Sequence, residues 1–99
     1  MNNTIVYMLT KFCWNPNRIM KTIGANMIKF SNETNEVGFR FKYCKEYNIC
    51  MLKYNDENGL YNLSLGKGGR VNYVFTKEFK DVPAEELRTI FEKNTGLKI

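Results

Sequence analysis

The stretch NICMLKYNDENGLYNLSL, residues 48–65, decides the fold. Two largely apolar runs, 48–54 and 60–65, flank NDENG. There Asn55, Asp56 and Asn58 have short side chains that bond nearby backbone, and Gly59 takes positive φ without a steric cost. So short a link leaves no room for a crossover helix, and the two runs are expected to pair antiparallel. The same logic extends in both directions. Upstream, MIKFS (27–31) and VGFRFKYC (37–44) flank the polar turn NETNE and form a second hairpin. Downstream, the glycine-rich GKGGR (66–70) turns the chain into VNYVFTK (71–77), the last strand of a meander.

The two ends of the chain read differently. TIVYMLTKF, residues 4–12, is apolar at nearly every position and predicts a first strand buried on both faces. NPNRIMKTIGAN (15–26) follows, with Asn15 as N-cap, Pro16 at the first helical position and Gly24 just past the end, predicting a helix of about two turns. In DVPAEELRTIFEKNTG (81–96) the period changes. Pro83 opens a helix, Glu85 and Glu86 complement its dipole, Leu87, Ile90 and Phe91 form a narrow apolar stripe, and Gly96 caps the end. The expected class is therefore α+β. A curled, mostly antiparallel sheet of five or six strands carries a short helix after its first strand and a C-terminal helix on one face. Ninety-nine residues support one domain, 1–99.

Composition removes several chemistries. The chain has no histidine, hence neither the usual general base nor the commonest metal ligand, and Ser-His-Asp and Cys-His catalysis are excluded. Cys13, Cys44 and Cys50 are an odd set without C-x-x-C spacing, which argues against a disulfide framework and a zinc site and for reduced thiols. Only two aspartates occur, Asp56 and Asp81, and turn or helix-start chemistry accounts for both. A protein without enzymatic activity, metal or cofactor is expected. MNNTIVYMLTKFCW lacks a basic leader with a long apolar run, and no stretch approaches a membrane span, so a cytoplasmic protein with no membrane partner is expected.

Net charge is +5, and it is uneven. Residues 1–37 carry +2, residues 38–77 carry +4 and residues 78–99 carry −1, which suggests one basic side. Within the basic part, GFRFKY (38–43) alternates rings with cations. On a strand Phe39, Phe41 and Tyr43 point one way and Arg40 and Lys42 the other. Gly38, Phe39 and Phe41 overlap the RNA-recognition-motif signature. Arg40 and Lys42 replace its small and aliphatic residues, however, and its order of elements is absent, so no family follows. GKGGR offers amides and two cations to a phosphate, although a strand follows where a Walker A loop has a helix.

These features point to a small non-enzymatic binding protein that engages nucleic acid, a nucleotide or another phosphate-rich ligand through a basic, aromatic-containing sheet face. The candidate contacts are Arg40, Lys42, Lys53, Lys67 and Arg70, with Trp14, Arg18 and Lys21 beside the strand–helix junction. Trp14, Tyr47, Tyr54 and Tyr73 are candidates for stacking on unpaired bases. A second reading is an inhibitor or interaction protein, encoded by a virus or mobile element, that acts by contact with a host protein. The abundance of Asn, Lys, Ile, Tyr and Phe fits AT-rich coding sequence. A homodimer that covers a hydrophobic face is a third.

Overall fold

The computed structural model describes residues 2–13, 21–69 and 71–99. Its elements are helix α1 (Asn3–Cys13), strands β1 (Asn26–Ser31), β2 (Glu36–Arg40), β3 (Ile49–Asn55), β4 (Leu60–Gly68) and β5 (Tyr73–Val82), a 3-10 turn (Ala84–Glu86) and helix α2 (Leu87–Thr95). The five strands form one antiparallel sheet in the order β1-β2-β3-β4-β5, and the sheet does not close. The α+β meander with a C-terminal helix is as expected from the sequence.

The first element is a correction: residues 4–12 are helical, not a strand. The buried positions are Ile5, Met8, Leu9, Phe12 and Cys13, spaced i, i+3, i+4, i+7, i+8, whereas Val6 and Tyr7 are about half exposed. A short apolar run suits either structure, and the spacing of the residues that find a core decides it. Asn2 starts the helix as an N-cap, its Oδ1 accepting the Ile5 N–H at 2.9 Å. The Asn2 amide side chain also donates to the Asn32 carbonyl and to Asn35 Oδ1, tying the helix start to the β1–β2 turn. Residues 15–20 of the stretch 15–26 expected to hold a helix lie outside the described residues; Lys21 and Thr22 are helical and Gly24 has φ +62°.

Register fixes which side chains share a face. Val37 pairs with Leu52 and Leu52 with Leu63; Phe39 pairs with Cys50 and Cys50 with Leu65. All six are buried, on the face that α1 and α2 cover. At the centre Phe91 of α2 meets Phe12 and Phe41 edge-on, with ring centroids 5.2 Å apart in both cases, and Phe39 at 6.2 Å. Each ring buried this way contributes about 1.5–3 kcal/mol over exposure. β2 stops at Arg40, earlier than the sequence suggests, and in the loop beyond it Tyr43 takes φ +72° and stands out in solvent. β5 continues to Val82, past the expected end at 77. The C-terminal helix ends on Gly96 at φ +75°, its N–H bonded to the Glu92 carbonyl. No helix among the described residues is long and apolar enough to cross a membrane.

Candidate ligand recess on the helix-free sheet face

With α1 and α2 on one face, the other face of the sheet, free of helix among the described residues, is built from the alternate residues. Three rows cross it. Ser31, Glu36, Lys53 and Asn62 form the first; Lys29, Gly38, Met51 and Ser64 the second; Arg40, Ile49, Gly66 and Phe75 the third. Rows stand about 6–7 Å apart and strands about 4.8 Å apart. In the middle row Gly38 supplies no side chain. The gap opens a recess of about 290 Å³ bordered by Lys29, Glu36, Arg40, Ile49, Met51 and Tyr73, with Met27 at one wall. Met27 lies where β1 slips register between Asn26 and Lys29, with φ +51°, a bulge that re-aims its side chain.

The wall formed by Tyr73 depends on close backbone contact. A Cβ on Gly66 would overlap the Val74 carbonyl, and one on Gly68 would overlap that of Asn72, so β4 and β5 approach as only glycine permits. Phe75 lies against Gly66 and packs edge-on to Tyr73, with centroids 5.5 Å apart. Arg40 holds this hairpin from across the sheet. Its Nη2 donates to the Gly68 carbonyl at 2.6 Å and its Nη1 to that of Gly69 at 3.1 Å. Asn48 bonds Gly68 in both directions, Nδ2 to its carbonyl at 3.0 Å and Oδ1 from its N–H at 3.1 Å. Ile49, although on the helix-free face, is buried.

The residues expected to bind phosphate are dispersed more widely than the sequence suggests. Arg40 and Lys53 share the helix-free face, about 13 Å apart along the strands. Lys53 faces Glu36, its cross-strand neighbour, with Nζ 3.9 Å from Oε1. Lys42 is exposed in the loop after β2, its stem against Gly24 and its N–H bonded to the Ile23 carbonyl. Lys67 points to the other side and donates from Nζ to the Lys45 carbonyl. Lys21 is exposed ahead of β1. Trp14, Arg18 and Arg70 lie outside the described residues. Of the candidate stacking rings, Tyr47 and Tyr54 pack against the core, and Tyr73 faces the recess at 40% exposure.

Two participants were missed from sequence. Lys29 is exposed at the recess rim, and no ion pair involves it among the described residues. Gly38 makes the recess. Gly38 was legible in part, since a glycine inside a strand marks close approach by something else. Lys29 was not, because a turn of all five NETNE residues sets it opposite Phe39, and only the entry of Glu36 into β2 sets it opposite Gly38.

The thiols offer no chemistry to the recess. Cys13 and Cys50 are buried, and burial pushes the Cys50 thiol well above its ordinary range. Among the described residues no three metal-ligating side chains gather. No family model matches this chain, and no match is found among curated proteins or solved structures.

Proposed function

We propose that this is a small non-enzymatic binding protein that engages nucleic acid, or a nucleotide or other phosphate-rich ligand, through the helix-free sheet face. One observation carries the reading: the exposed Lys29 cation stands beside Arg40 and Tyr73 around an apolar-floored recess. Two of the five Arg40 donors are taken by Gly68 and Gly69, and among the described residues the other three have no acceptor and suit an anion. Affinity then comes chiefly from phosphate contacts, with a ring contributing stacking.

Fluorescence anisotropy with a labelled single strand at low and moderate salt tests it. Binding is expected to weaken as salt rises, and Lys29→Ala to reduce the slope of log K against log salt by about 0.7, the value for one phosphate contact on a single strand. A salt-independent affinity, or no binding at low salt, would overturn the reading.

A second observation favours a protein partner. Val71 and Val74 stand out at the β4–β5 hairpin, 87% and 66% exposed. Such a pair suits contact with a host protein, as an inhibitor encoded by a virus or mobile element would make, or with a second copy of this chain. Nuclease-resistant co-purification with a defined partner that Val74→Lys abolishes is the expected result for a host protein. A doubled mass in solution is the result for a homodimer.

A further inference from the structure

We infer that the recess over Gly38 receives one unpaired nucleobase, with an amino-bearing edge turned toward Glu36. The inference rests on the nucleic-acid reading above and specifies what that face recognises.

The recess is small and open on one side, bounded by Lys29 across one strand boundary and Met51 across the other. That size suits one flat ring and not a duplex, whose bases are stacked out of reach. Tyr73 and the thioethers of Met27 and Met51 supply polarisable surfaces for a π-face. Its two ends differ in charge. Arg40, in one outer row, provides a cation at one end, the Ser31–Glu36 pair provides oxygens at the other, and Lys29, in the row between them, provides a second cation for the phosphate.

Glu36 sits 3.9 Å from Lys53, too far for a hydrogen bond, so its carboxylate keeps its acceptor capacity. The Ser31 hydroxyl accepts the Thr34 N–H, which leaves its own proton to donate. A carboxylate accepts from an exocyclic amino group and repels a carbonyl, so cytosine, which carries an amino group at C4, is preferred to uracil, which carries a carbonyl there.

Labelled oligo(dC) and oligo(dU) of equal length differ in that edge, and their affinities at one salt concentration are the test. The wild-type protein is expected to bind oligo(dC) about five-fold more tightly, the yield of one such hydrogen bond at a partly exposed site. Glu36→Gln should erase the preference without weakening oligo(dU). Gly38→Val should fill the recess and bring both ligands to one weaker affinity while leaving the salt slope in place. A Cβ at Gly38 meets its nearest neighbours at 3.5 and 3.7 Å, ordinary contact, so the sheet accommodates it.

Equal wild-type affinities for the two oligomers, or a Gly38→Val protein that binds as the wild type does, would overturn this inference. A salt-dependent affinity in either case leaves the broader reading standing. Absence of binding to both oligomers at low salt overturns both.

Discussion

Arg40 on β2 and Gly68 at the end of β4 are bonded across the helix-free face, Nη2 to carbonyl oxygen at 2.6 Å, although 28 residues separate them in the chain. The bond makes Arg40 a tether for the β4–β5 hairpin and hence for Tyr73, which pairs with Gly68. Arg40→Ala is expected to cost about 1–2 kcal/mol, below the full range for charge-assisted bonds because the site is partly exposed. Amide exchange should quicken at Gly68 and Gly69 before the core strands are affected. Arg40→Lys should recover little, since an ammonium lacks the fork that reaches two carbonyls.

Glycines on this face should respond in opposite directions. Gly66→Ala forces a methyl into the Val74 carbonyl and the Phe75 backbone, and a loss of about 2–3 kcal/mol is expected. Gly38→Ala meets only ordinary contacts and replaces a flexible residue within a strand, so it should be neutral or stabilising by up to about 1 kcal/mol. Urea unfolding of the two variants checks both.

Helical identity of residues 3–13 makes neighbouring positions differ. Tyr7→Ser, on the exposed side, should change stability by less than about 0.5 kcal/mol. Met8→Ser, fully buried one position on, should cost several times as much, and Phe91→Ala about 3–5 kcal/mol. Alternation along a strand would instead group Tyr7 with the buried Ile5 and Leu9.

Alkaline pH should weaken the fold. The Cys50 thiol is raised by burial, and the Tyr61 phenol is raised by burial and then by the neighbouring Tyr54, so the folded chain holds protons that the unfolded chain releases first. Stability is then full below the ordinary thiol pKa of 9.0 and falls as pH rises beyond it, by up to about 1.4 kcal/mol per pH unit for each such group. Cys50→Val should flatten part of that decline, measured as urea midpoints at pH 7 and 10. In the native protein at neutral pH, a thiol reagent should label the half-buried Cys44 ahead of Cys13 and Cys50.

Local chemistry in the sequence determined the hairpins and the end of the chain. Turn residues such as Asn55 and Gly59, Pro83 before the terminal helix and Gly96 after it act through their own backbone preferences, and those need no distant partner. Glu36 and Lys53 illustrate what the pairing of strands adds: only the register sets them face to face. Residues 4–12 could not be assigned from apolar content alone, because an apolar nonamer satisfies strand and helix alike until a sheet exists for one side of it to cover. The face of the sheet left uncovered, the recess at Gly38 and the tether from Arg40 to Gly68 were decided only in the tertiary structure. Each is a relation between strands, set by backbone approach and by which side the helices occupy, and no single stretch of the chain encodes it.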